Sequence, residues 1–194
     1  MTAQADVIDA PRYRHLNQEE RMELCRFIRR YVPIANDTKN AFRKFARWQI
    51  SLLLWRWTAD AYCRHEGVIR PDAIKYDVEM LPATKNAREL RKKSIRGLRH
   101  EHTVPRIALA QRIIDSDLCV DGIYALLTRH CRAVIVTLEE DQILSKHGKK
   151  SMGGEWEWET GCPYARYKSA GLLEVLDWNG SRHDCPDDAA CRKA

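Results

Sequence analysis

The chain has 194 residues, of which 44% are apolar and 31% are charged, and this composition excludes fibrous and wholly disordered proteins. Its longest apolar stretch, residues 50–57, contains Ser51 and Arg56 and is far shorter than the roughly 20 residues of a membrane span, so we expect no membrane association. The formal net charge of +6 favours acidic partners such as nucleic acid.

The start of the chain and the cysteines predict the compartment. Residues 1–14 lack the apolar run of a secretory signal. The seven cysteines form an odd set, which favours reduced thiols over a disulfide framework: Cys25, Cys63, Cys119, Cys131, Cys162, Cys185 and Cys191. We therefore expect a soluble, cytoplasmic protein.

No long polar linker and no internal repeat divides the chain, which predicts one globular domain over residues 1–178. Residues 1–16 are predicted to be a mobile start. Residues 179–194 are predicted to be a polar C-terminal tail.

Two long helices are predicted in the first third of the chain. Asn17 and Glu20 have the spacing of a capping box, which opens a helix that should stop before Pro33. A second helix is predicted from residue 37 or 38 to about His65, ended by Gly67.

The second helix carries bulky residues at heptad spacing, in two sets: Phe45, Leu52 and Ala59, and Ala41, Trp48, Trp55 and Tyr62. This pattern favours a central core helix that packs against the other helices. A seam through which the protein associates with itself is the alternative.

The middle of the chain alternates breaks and helices. Residues 71–82 are a break in which Ile74 to Val78 could form a short edge strand. A helix is predicted from Ala83 to about Arg96, ended by Gly97. Pro105 suits a first helical turn and predicts a helix from Arg106 to about Asp115, and Asp117 should cap the next helix.

The clearest strand is Arg132 to Thr137, and Thr137 with Glu140 gives a second capping box for a helix that stops near Gly148. Residues 74–78 or 156–158 are the candidate partners of this strand. Pro163 opens a last helix. The predicted fold is mainly α with a small β component (α+β), built around a long central helix with a minor two- or three-stranded sheet.

A dense basic segment lies between residues 85 and 99, with Glu89 as its one acid, and we call its seven cations the basic strip: Lys85, Arg88, Arg91, Lys92, Lys93, Arg96 and Arg99. Lysine and arginine at this density attract polyanions and displace counterions from phosphates. Arg43, Lys44 and Arg47 could add to the same surface. The plainer interpretation is a solvated helix face.

The strip leads into His100, Glu101 and His102. If this piece is extended, the two imidazoles lie on one side, where they could bind a divalent metal, and Glu101 points away. A structural loop that caps the following helix is the alternative.

The string Glu101-His102-Thr103-Val104-Pro105 resembles the first motif of His-Asn-His (HNH) endonucleases. The resemblance implies a metal-dependent phosphodiesterase in which Glu101 is a ligand and His102 is the general base. It covers five residues, and the chain departs from the family because two predicted helices separate this motif from the next strand and the later Asn is missing.

Trp156 and Trp158 alternate with three glutamates, and they are either core anchors or an acidic loop for a basic protein partner. The leading hypothesis is a small binding protein that engages nucleic acid or a nucleoprotein complex through the basic strip, as an accessory or inhibitor and not a catalyst. The alternatives are the HNH-like nuclease and an oligomeric adaptor that uses the heptad seam.

Overall fold

The computed structural model describes residues 12–148, 150–153 and 156–172, and the backbone of 176–177. Its first helix, α1 (Gln18–Asn36), begins with the predicted capping box, in which the Glu20 N–H donates to Asn17 Oδ1 over 2.9 Å and the Asn17 N–H donates to Glu20 Oε2 over 2.8 Å. The predicted stop before Pro33 is wrong. The last turn persists because Val32 and Ala35, on either side of Pro33, are buried in the core.

The second helix, α2 (Arg43–Ala59), is shorter at both ends than predicted. Before it, the side chains of Asp37 and Asn40 accept backbone N–H groups two residues further on, and such local turns compete with helix. After it, Asp60 is extended and the chain enters a strand, so the predicted helix to His65 is wrong.

The heptad seam of α2 is also wrong as a core pattern. The buried face consists of Ala46, Ile50, Leu54 and Trp57, whereas Phe45 and Trp48 are 49% and 58% exposed. Because α2 is apolar on most of its circumference, periodicity did not select the face that packs.

A small antiparallel sheet follows, in the order β1 (Tyr13–His15), β2 (Ala61–Cys63) and β3 (Val68–Arg70). Gly67, with φ of +67°, lies in the turn between β2 and β3 and does not end a helix. The mobile start predicted to residue 16 is therefore wrong for the strand residues 13–15 and for the buried Leu16.

The second sheet has the order β5 (Leu98–His102), β6 (Ala133–Thr137), β4 (Ala83–Thr84) and β7 (Leu176–Asp177). The predicted strand β6 is confirmed and is buried along its whole length. It pairs antiparallel with β5 and parallel with β4. Its predicted partners are wrong, because residues 74–78 form turns and Trp156 and Trp158 pack against helices.

Five more helices complete the described residues: α3 (Lys85–Arg91), α4 (Arg106–Asp115), α5 (Val120–His130), α6 (Leu138–Lys146) and α7 (Ala165–Ser169). The predicted bounds of α4 and the capping box of α6 are confirmed. α3 ends five residues before the predicted Arg96. Cys119, not Asp117, caps α5, and α7 is a short piece of the predicted last helix.

The α+β fold class is as predicted, with two sheets in place of one. The largest apolar cluster lies between α1, α2, α4 and α5. Val134 and Val136 of β6 pack towards α6 and α7, and Ile135 packs towards α3 and β4. No helix within the described ranges is long and apolar enough to cross a membrane.

Among the cysteines that the structure describes, four are free: Cys25, Cys63, Cys119 and Cys131. Cys162 is disulfide-bonded, so the expectation of reduced thiols is wrong at this position. The predicted tail, 179–194, lies outside the described residues.

Candidate functional site

The basic strip is exposed over most of its length. Five of its cations are exposed: Lys85, Arg91, Lys92, Lys93 and Arg96. Glu89, the one acid of the segment, is paired with Lys92 over 2.7 Å. The side chains of Lys85, Lys93 and Arg96 make no ion pair or hydrogen bond to other described residues. These three cations are therefore available to a phosphate partner.

The two cations of the strip that are not exposed, Arg88 and Arg99, have structural contacts. Arg88 is mostly buried and forms an ion pair with Glu79 at 3.5 Å. Arg99 lies on β5, and its Nη1 donates to the Leu98 carbonyl over 2.9 Å. The strip thus leaves its helix at Lys92 and continues on a loop, and only its first half is helical.

The three cations of α2 that were predicted to extend the basic surface also differ in whether they have structural contacts. Arg43 and Arg47 both donate from Nε to the carbonyl of Ala35, over 3.3 and 3.2 Å, and so cap the end of α1. Lys44 is exposed. The first half of α2 therefore offers one free lysine and two arginines that already hold the fold.

The exposed part of α2 is aromatic, which the sequence pattern did not predict. Phe42 is 69% exposed, and the rings of Phe45 and Trp48 lie 5.9 Å apart on the same surface. No acid occurs between residues 38 and 59. This face therefore combines exposed aromatic rings with positive charge.

A chain of contacts joins the strip to α2. Arg91 Nε donates to the carbonyl of Tyr76 over 3.1 Å, and the neighbouring Lys75 lies 4.9 Å from the ring of Trp55. Trp55 follows Trp48 by two helical turns, so the two indoles lie on one side of α2. These contacts link the two basic regions through a segment that also carries Asp72, Asp77 and Glu79.

His100 and His102 lie on β5 and not in a loop, which corrects the prediction. The extended backbone places their rings on one side, 5.2 Å apart, as predicted for an extended segment. Trp55 covers them, with its ring 4.5 Å from His100 and 5.8 Å from His102.

Burial keeps both histidines neutral. His102 is 3% exposed, and its Nε2 lies 3.0 Å from the hydroxyl of Thr58. Burial lowers the pKa of His102 well below its ordinary value, and His100 adds to that decrease. Burial also lowers the pKa of His100 to about 4. The pair can accept hydrogen bonds, but it carries no charge near neutral pH.

Glu101 points to the opposite face of β5. There Arg166, which is almost completely buried, donates from Nη1 to Glu101 Oε1 over 3.0 Å and to the carbonyl of His102 over 3.2 Å. Burial raises the pKa of Glu101, against the pull of Arg166 and with a contribution from Asp141. The carboxylate is thus held by a protein cation and faces away from the two imidazoles.

A groove runs beside this ion pair, and its lining includes Glu101, His102, Arg106, Asp141 and Arg166. Within the described residues, no three His, Cys, Asp or Glu side chains cluster so that they could hold a metal ion. The structure therefore brings His100 and His102 together but adds no third ligand to them.

Trp156 and Trp158 are half-buried against the helical core, with ring centroids 4.8 Å apart. The ring of His130 contacts both of them, and Trp156 Nε1 donates to the carbonyl of Cys162 over 2.9 Å. These contacts fit the core-anchor interpretation.

The sequence analysis did not assign two residues, Arg166 and Trp55, to the site. Arg166 lies 65 residues from Glu101, and nothing near it in the sequence marks its partner. Trp55 was assigned to a packing seam, whereas it covers the histidines and donates to Asp72 Oδ1 over 2.5 Å.

Comparisons with protein-family models, with curated proteins and with solved structures give no significant match. They add nothing to the five-residue resemblance to HNH endonucleases. Function is therefore inferred from the surface and its charges.

The buried histidines predict acid sensitivity. Between about pH 6.5 and pH 4 the unfolded chain binds a proton at position 100 and the folded protein does not, so stability decreases as the pH falls through this window. The shift corresponds to roughly 3 kcal/mol of unfolding free energy at the low end. In urea denaturation across this range, His100→Leu should lose correspondingly less stability than the parent protein.

The control is His65→Leu, which removes an exposed imidazole and should keep the pH dependence of the parent. An equal acid-induced loss in His100→Leu and the parent would show that His100 is not buried in its neutral form.

Proposed function

We propose that the protein binds nucleic acid, alone or within a nucleoprotein complex, as a cytoplasmic accessory or inhibitor and not as a catalyst. The observation that carries the proposal is the exposure of five strip cations beside one acid that Lys92 already neutralises. Binding of this kind is electrostatic, because each phosphate contact releases counterions. It positions the partner without reading its bases.

The α2 face supports single strands as the preferred partner. Exposed aromatic rings stack on unpaired bases, and a base is available for stacking only where it is not held in a duplex. Phe42, Phe45 and Trp48 provide such rings, with Lys44 between them in the sequence. The contact chain through Trp55 and Lys75 continues this surface to the strip, so one strand could follow both.

Removing unpaired cations tests the electrostatic part. The triple variant Lys85→Gln, Lys93→Gln, Arg96→Gln changes side chains without described partners, so the fold should be kept. The slope of log affinity against log salt, measured on labelled single strands by fluorescence anisotropy, should fall in magnitude by about 2.

The matched control removes the same charge elsewhere, through the exposed residues Arg64, Lys146 and Lys150, each changed to Gln. It should keep the parent slope. Equal slopes for the parent and the strip variant would remove the strip from the interface.

Stacking is tested at Trp48. Base stacking on an aromatic side chain contributes about 1–3 kcal/mol, so Trp48→Ala should weaken single-strand binding about 5- to 150-fold and leave duplex binding nearly unchanged. Trp48→Phe keeps an aromatic ring and should retain most of the affinity.

Ile107→Ala is the comparison for lost apolar surface, since Ile107 is as exposed as Trp48 but has no aromatic ring. If Trp48→Ala and Ile107→Ala behave alike, the α2 face does not stack on bases. Light scattering of the same samples detects the adaptor alternative, in which exposed Phe45 and Trp48 would instead join two copies. The full seam is not available to it, because Ala59 is completely buried.

One observation favours the nuclease as a second candidate. β5 and β6 are antiparallel neighbours, α6 follows β6 directly, and α6 packs against both strands. This is the ββα order that the HNH resemblance implies, with α4 and α5 inserted between the two strands. The burial of His102 weighs against it, because a general base must reach the water that it activates.

The nuclease candidate predicts cleavage of plasmid or single-stranded DNA with magnesium, manganese or zinc. His102→Ala should abolish that cleavage and leave DNA binding within about twofold, because His102 is outside the basic surface. His65→Ala should cleave like the parent. Absence of cleavage by the parent protein with every metal would reject this candidate and leave the binding proposal unaffected.

A further inference from the structure

A cavity of about 190 Å³ lies away from the basic surface, between the start of α1, the end of α2 and the connection from α5 to β6. Two arginines line it, Arg21 from the first turn of α1 and Arg132 from the residue before β6. Trp57, Leu81 and Pro82 form apolar walls. No Asp or Glu occurs among its lining residues in the described part of the chain.

Arg21 is a half-buried cation without a counterion. Its guanidinium lies over the ring of Trp57, 5.0 Å from the centroid. Its Nε is completely buried and has no hydrogen-bond partner, and the residue makes no ion pair with other described residues. Burial lowers the pKa of this guanidinium. Buried charges in proteins are normally paired, because desolvation of an unpaired ion is unfavourable.

Arg132 faces the same space and is also without a carboxylate. Its Nε donates to the carbonyl of Arg129 over 3.1 Å, which fixes the base of the side chain and leaves the outer nitrogens of the fork for another acceptor. His15 and Thr128, both exposed, stand at the rim and could donate further hydrogen bonds. The four polar side chains Arg21, Arg132, His15 and Thr128 can all donate, and the two arginines are permanent cations.

We propose that this cavity binds a small oxyanion, a phosphate or carboxylate group, between Arg21 and Arg132. Guanidinium forks match both groups because they donate two parallel N–H bonds to two oxygens. The volume of the cavity suits a small ligand, and the apolar walls would contact the carbon skeleton that carries the phosphate or carboxylate group. A bound oxyanion supplies the missing counterion of Arg21. This site is independent of the proposed nucleic-acid surface.

The test is isothermal titration of the full chain with inorganic phosphate, methyl phosphate and acetate, at constant ionic strength set by sodium chloride. We expect one site with a Kd of about 1 mM or tighter for at least one probe, and the comparison of phosphate with acetate assigns the group. Arg21→Gln and Arg132→Gln should each weaken binding at least about tenfold. Arg30→Gln removes an exposed cation of α1 and should bind like the parent.

The variants also give a readout that does not need the ligand. Arg21→Gln removes a half-buried cation without a counterion, so its melting temperature without oxyanion should equal or exceed that of the parent. Phosphate or acetate should then raise the melting temperature of the parent and of Arg30→Gln only. The proposal would be overturned if the parent bound none of the probes. It would also be overturned if Arg30→Gln lost as much affinity as Arg21→Gln and Arg132→Gln.

Discussion

The fold depends on one buried carboxylate, that of Glu140. It is 4% exposed and accepts three hydrogen bonds, from the Thr137 N–H over 2.8 Å, the Thr84 hydroxyl over 2.7 Å and the Asn86 side-chain amide over 3.0 Å. These donors lie at the end of β6, at the end of β4 and in the first turn of α3. Because every bond is buried or half-buried, none is easily replaced by water. Glu140 thereby fixes α3 against the sheet, and the position of the basic strip follows from it.

Strand β5 separates the neutral histidine pair from the ion pair of Glu101 and Arg166. Its alternate residues point to different layers, so the neutral histidines lie under Trp55 on the α2 side while Glu101 meets Arg166 on the α6 and α7 side. The side chains of these three residues, adjacent in sequence, are therefore divided between the two faces of the strand. Lys75 and Arg106 each lie 4.9 Å from the ring of Trp55. Cation and ring contacts of this kind stiffen a surface without neutralising it.

Local signals were readable from the sequence. Three kinds of prediction depend on neighbours within a few residues, and each was confirmed. They are the capping boxes at Asn17 and Thr137, the run of β-branched residues in β6 and the start of α4 after Pro105. The exposed half of the basic strip was also predictable, because a dense charge run is costly to bury.

The features that the sequence did not predict depend on contacts between residues that are far apart in the chain. β5 reads as polar, and only its pairing with β6 makes it a strand. The last turn of α1, after Pro33, is held both by the burial of Val32 and Ala35 and by the two arginines of α2 that donate to the Ala35 carbonyl. The face of α2 that packs was not determined by its apolar pattern, since Leu52, Leu53, Leu54 and Trp55 lie on all sides of it. Arg166 and Glu101 meet across 65 residues that include three helices and a strand.

The shared acceptor at Ala35 has an evolutionary consequence. Arg43 and Arg47 both bind that carbonyl, so selection for the α1–α2 junction alone would keep them as arginines in any relative with this fold. Lys44, between them, makes no such contact and is free to change unless a partner selects it, whereas the ring of Phe45 also packs against Tyr31 of α1. In a set of diverged relatives, position 44 would therefore record selection for binding, and the arginines on either side would record selection for the fold.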